Sequence, residues 1–112
     1  MSSNGANAGT GIVWVLTPAN GDANSCRGVK GMLMAFDAED VTKEIWRSQS
    51  RNAGLTDTRD SFGLIARYVP PVVANGKVFI ATAGDTEPLG RYGGPRPAPG
   101  PANYYLAVYG LR

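Results

Sequence analysis

Four of the nine acidic residues crowd one short stretch of the chain: Asp37, Glu39, Asp40 and Glu44. A second acidic pair, Asp57 and Asp60, stands three residues apart in a polar segment. Oxygen-rich clusters of this kind are the chemistry of calcium binding, but neither stretch has the twelve-residue spacing of a calcium loop. Aspartate is also a common turn residue, because its carboxylate accepts hydrogen bonds from nearby backbone N–H groups. The plainer reading of both stretches is therefore turn structure. General acid–base work by paired carboxylates needs a cleft and a set separation, and the sequence displays neither.

Other reactive side chains are scarce. The chain has no histidine, which removes Ser-His-Asp and Cys-His catalysis and imidazole metal ligation. Its single cysteine, Cys26, has no second thiol for an internal disulfide and no histidine to activate it. Trp14 and Trp46 are able to stack on a flat ligand or a sugar, yet both sit inside apolar runs, where packing is the simpler role. The segment GRYGGPRPAPGPAN favours polyproline II structure and carries Arg91, Tyr92 and Arg96. Its plain reading is a surface loop. If the chain has a recognition surface, this loop, together with residues 50–68 and their Asp57 and Asp60, is the candidate. No glycine pattern matches a phosphate-binding loop.

The totals narrow the class. A length of 112 residues fits one small domain, and 43% hydrophobic residues is ordinary for a folded protein. Fifteen glycines and eight prolines point to many turns and few helices. A net charge of +2, scattered along the chain, makes no case for nucleic acid as a partner. No apolar run approaches the ~18 residues of a membrane span. The start, MSSNGANAGTG, lacks the basic and apolar segments of a signal peptide.

Short apolar runs rich in β-branched and aromatic residues recur between turn signals, and no helix-length window shows a 3.6-residue period. Strands are expected at residues 12–16, 32–38, 44–49, 69–74, 78–83 and 104–111. The stretch PPVVANGKVFIATAG has the Asn-Gly of a tight hairpin turn. Residues 50–68 form a long connection with an apolar plug at Phe62, Leu64 and Ile65. The chain also repeats itself: GIVWVLT aligns with GKVFIAT, and LMAF aligns with LAVY after a longer loop. Ser3-Asn4-Gly5 echoes Ala74-Asn75-Gly76 upstream. Antiparallel strands repeated with variable loops are the sequence pattern of β-propeller blades.

With these residues in place, the chain resembles the last two blades of the quinoprotein-like (PQQ-repeat) β-propellers. The resemblance runs from about Ser3 to the end. Its most specific element is Ala35-x-Asp37 followed by Trp46, which resembles the family's tryptophan-docking repeat. In that repeat the aspartate caps the turn after the third strand, and the tryptophan packs between blades. Two departures stand out: Asp40-Val41-Thr42-Lys43 replaces the customary Thr-Gly turn, and Trp46 falls one residue late.

The resemblance implies an all-β fold of antiparallel blades, about two incomplete four-stranded ones, with long Gly/Pro-rich loops. Residues 1–49 would supply the end of strand A and strands B, C and D of one blade. Residues 50–68 would connect, and residues 69–112 would supply strands A, B and C of the next. The chain would be a structural or recognition module, the C-terminal piece of a larger propeller in a periplasmic or secreted parent. Its partners would be that parent's remaining blades, or other copies joined through exposed strand edges. The family's enzymes hold the quinone cofactor PQQ with calcium, but none of their cofactor or catalytic motifs is found here, so either a full-length parent holds both in its other blades or this branch never had them. Two other readings stand beside this one: the tail of a PQQ-dependent dehydrogenase, and a free-standing β-domain that binds a peptide or sugar through its loops.

Overall fold

The computed structural model describes residues 1–19, 22, 29–49, 60–84 and 104–110. They form two three-stranded antiparallel sheets and no helix. The first sheet holds β1 (Ile12–Pro18), β2 (Gly31–Asp37) and β3 (Glu44–Arg47) in the order β1-β2-β3. The second holds β4 (Val72–Ala74), β5 (Lys77–Ala81) and β6 (Leu106–Gly110) in the order β4-β5-β6. All six expected strands are present, several trimmed at their ends. Neither sheet closes on itself.

Local chemistry sets each turn and offset. The β4–β5 hairpin turns at Asn75 and Gly76, whose φ angles are 50° and 67°. Two successive positive φ values define the type I′ turn, whose twist matches the flanking strands. The β2–β3 pairing carries a β-bulge just before Trp46. Ala35 pairs with Trp46 and Phe36 with Glu44, so Ile45 is left without a partner. The bulge keeps Trp46 in one row with Ala35 and Trp14, on the face where Leu33 and Leu16 also lie.

Strand alternation sends one face of each sheet into a shared core. The first sheet contributes Leu33, with Trp14, Leu16 and Trp46 packed against it. The second contributes Val78 and Ile80, with Val73, Ala107 and Tyr109. Phe62, fully buried, comes from the connecting segment and completes the layer.

The same segment bonds to both sheets. The N–H of Gly31 donates to Gly63 O (2.9 Å) and that of Ile65 to Val29 O (2.9 Å), which ties it to the entry of β2. The N–H of Ala83 donates to Leu64 O (2.9 Å) and that of Leu64 to Gly84 O (2.8 Å), which ties it to the end of β5. Leu64 is buried and Ile65 half-buried, so the expected apolar plug also serves as a backbone clasp.

The internal repeat reappears in the pairing register. In the first sheet Val13 pairs with Phe36, Trp14 with Ala35, Val15 with Met34 and Leu16 with Leu33. Their sequence counterparts pair identically in the second: Val78 with Tyr109, Phe79 with Val108, Ile80 with Ala107 and Ala81 with Leu106. The upstream echo is matched in position only, one residue out of register. Ser2 exchanges two backbone hydrogen bonds with Ile12 (3.0 and 2.8 Å), at the place where β4 meets β5 in the second sheet.

Gly31 lies against the plug so closely that a Cβ there would overlap the Phe62 ring. The substitution Gly31→Ala is expected to lower unfolding free energy by about 1–3 kcal/mol, as overpacking does in tight cores. Adding Phe62→Leu should recover part of that loss. Urea denaturation of the single and double variants measures both effects.

Candidate functional site

The acidic stretch 37–44 is a network of turn bonds. Asp37 Oδ1 accepts the N–H of Glu39 (3.0 Å), and its Oδ2 pairs with Lys43 Nζ (3.1 Å). Asp40 Oδ1 accepts the N–H of Thr42 (3.0 Å) and the Thr42 hydroxyl (2.6 Å). Glu39 Oε1 accepts the N–H of Gly9 (2.9 Å), and Glu44 pairs with Arg47. The donated N–H of Glu39, helped by Lys43, holds Asp37 below the usual carboxylate range. The two Thr42 donors do the same for Asp40, the hydroxyl first. Carboxylates held ionised in this way suit turn caps, whereas a general acid needs its pKa raised. Among the described residues no group of three or more His, Cys, Asp or Glu side chains is placed to hold a metal.

The repeat residues Ala35, Asp37 and Trp46 come together around the β2–β3 turn. Ala35 is buried on the core face, Asp37 closes the turn, and Trp46 points across to the other sheet. Trp46 anchors a chain of aromatic rings meeting edge to face. Its centroid lies 6.4 Å from that of Trp14 and 5.6 Å from that of Tyr109. Tyr109 in turn lies 6.5 Å from Phe62. These separations fall in the favourable range for aromatic pairs. The indole N–H of Trp14 donates to Ser2 Oγ (2.9 Å), so its polar edge is satisfied as well.

Of the proposed recognition residues, Asp60 is described and Asp57, Arg91, Tyr92 and Arg96 lie outside the described residues, as does Cys26. Asp60 contributes its backbone carbonyl, which accepts the Tyr109 hydroxyl at 2.5 Å. Sequence reading missed Tyr109, Ser48 and Gln49. Ser48 Oγ accepts the N–H of Leu33 (3.1 Å), and Gln49 Nε2 donates to Gly31 O (3.1 Å), so two buried side chains extend the ladder past the end of β3. The alternation in YYLAVYGL was the available signal for Tyr109, since it separates Ala107 and Tyr109 from Leu106 and Val108. Nothing local marks Ser48 or Gln49. Among the described residues there is no helix long and apolar enough to cross a membrane.

No known family model, curated protein or solved structure matches the chain.

What this geometry can do is hold two sheets together. The Tyr109 hydroxyl bridges the second sheet to the connecting segment, and burial, followed by the charge of Asp60, pushes its pKa well above the ordinary 10.0. The fold therefore favours the neutral phenol. Its contribution is fully present below pH 10 and is lost as pH rises toward the raised pKa. Tyr109→Phe keeps the ring and removes the bond, and should cost about 1 kcal/mol at neutral pH. The wild type should lose stability above about pH 10 more steeply than the variant. Unfolding curves collected from pH 7 to 11 test both statements.

Proposed function

We propose that this chain is a structural and recognition module, the C-terminal blades of a larger quinoprotein-like β-propeller, with no catalytic site of its own. The observation that carries the reading is the orientation of the two repeats. In the first sheet Trp14, Leu16, Leu33 and Ala35 face the core. Their counterparts Phe79, Ala81, Leu106 and Val108 share the outer face of the second sheet. Conversely, Val13, Val15, Met34 and Phe36 share the outer face of the first sheet, and their counterparts Val78, Ile80, Ala107 and Tyr109 face the core. Both repeats therefore point the same way along the stack.

Head-to-tail order is what a multi-bladed ring requires. A free-standing two-layer sandwich needs only one apolar face on each sheet, with polar residues alternating outward. Here both faces of each sheet are rich in apolar residues, so each sheet is suited to a neighbour on both sides. Asp37 capping the β2–β3 turn and Trp46 lying between sheets also agree with the tryptophan-docking pattern of that family. In this reading the quinone cofactor and calcium, where a parent uses them, are held by blades other than these.

The reading frame upstream of Met1 tests it. The frame is expected to continue and to encode further repeats with the spacing of Ala35, Asp37 and Trp46. Expressed with those repeats, the chain should form a monomer that melts in one cooperative transition. A stop codon in frame directly upstream, with no repeats before it, would overturn the proposal.

A further inference from the structure

Among the described residues, the outer face of the second sheet is the exposed copy of a face that is covered in the first. Leu33 and Ala35 are 0% and 1% exposed beneath the second sheet, whereas their counterparts Leu106 and Val108 are 57% and 48% exposed. Val72 extends this open face, in register with Phe79 and Val108, and is 58% exposed. On the opposite side of the molecule Val13, Val15, Met34 and Phe36 form an outer face whose counterparts, Val78, Ile80, Ala107 and Tyr109, already pack against the first sheet. The molecule thus presents at one end the kind of surface that it covers internally, and at the other the kind of surface that covers it.

We infer that two copies of this chain associate head to tail, the outer face of the first sheet in one copy seating on the outer face of the second sheet in the other. The contact extends the interface already present between the two sheets. It deepens the propeller reading by naming a partner, and rests on the same correspondence of faces. Chemistry favours this mode over joining like faces. The internal interface mates a Trp14/Leu33 face with a Val78/Ile80 face, and only head-to-tail order repeats that pairing. Such a contact uses two different surfaces, so each copy keeps one free end, and association continues until a ring closes or a filament grows.

Charge placed on each face separately gives the test. Val15, 37% exposed, marks the first face, and Val108 marks the second. Wild-type chain should sediment as species larger than a dimer as its concentration rises. Val15→Glu and Val108→Glu should each associate at least about tenfold more weakly, because each would bury an unpaired carboxylate at the contact. Mixing the two variants leaves one intact face on each, and should yield a one-to-one dimer that grows no further. The inference is overturned if Val15→Glu alone still assembles, which would mean pairing through the second sheet or the β6 edge, or if the mixture stays monomeric. Wild-type chain provides a check that does not depend on variants folding: isotope-filtered NOEs should link Val15 or Phe36 of one copy to Phe79 or Val108 of another, and their absence would also overturn it. Failure here, with repeats present upstream of Met1, would leave the propeller reading standing and remove self-association alone.

Discussion

Everything in this molecule depends on one apolar layer between two sheets that share no strand. A three-stranded sheet has little stability without something on its face. The layer supplies that for both at once: Leu33, Trp14 and Trp46 from one side, Val78, Ile80 and Tyr109 from the other, and Phe62 between them. The backbone clasp at residues 63–65 fixes how the sheets meet, because it bonds to the entry of β2 and to the end of β5. A clasp that carries its own core side chain couples hydrogen bonding to packing. Neither sheet can shift without breaking the bonds or uncovering the ring.

The constraint extends outward. Once the layer uses one face of each sheet, the other faces are left mainly with valine, methionine, phenylalanine and leucine, with Arg47 beside Met32 on the first and Lys77 at the end of the second. The edges are treated differently from these faces. Ser2 covers part of the β1 edge, a bulge and the Glu44–Arg47 pair interrupt β3, and Pro70 and Pro71 precede a β4 of only three residues. Such devices discourage unwanted strand pairing. Among the described residues, β6 has no charge and no bulge, and its outward side chains are apolar. The β1, β3 and β4 edges are thus guarded against strand pairing, and the β6 edge is bare. The acidic stretch has a supporting part: its carboxylates shape the β2–β3 turn that brings Trp46 to the interface.

Much of this architecture was legible in the sequence, because short β-branched runs and Asn-Gly turns act locally. The strands, the Asn75–Gly76 turn and the plug at Phe62 were all readable as pattern. The internal repeat was legible as well, and the identical pairing registers give it physical content. What was not legible depends on chain segments far apart. The contact between Trp46 and Tyr109 spans two sheets, and the bond from Tyr109 to the Asp60 carbonyl joins a strand to a loop. The bulge before Trp46 appears only once the partner strand is known. The candidate site was the less legible part. Asp37 and Asp40 read correctly as turn residues, whereas the buried roles of Ser48 and Gln49 have no signature in sequence.

The central claim is that the two repeats face the same way across the apolar layer. Aromatic and methyl NOEs within one uniformly labelled chain measure this most directly. The account predicts contacts from Tyr109 and Val78 to Trp46, Leu33 and Phe62. Contacts from Tyr109 or Val78 to Val13 and Phe36 within the same chain would contradict it, because they would place the opposite face of the first sheet against the core.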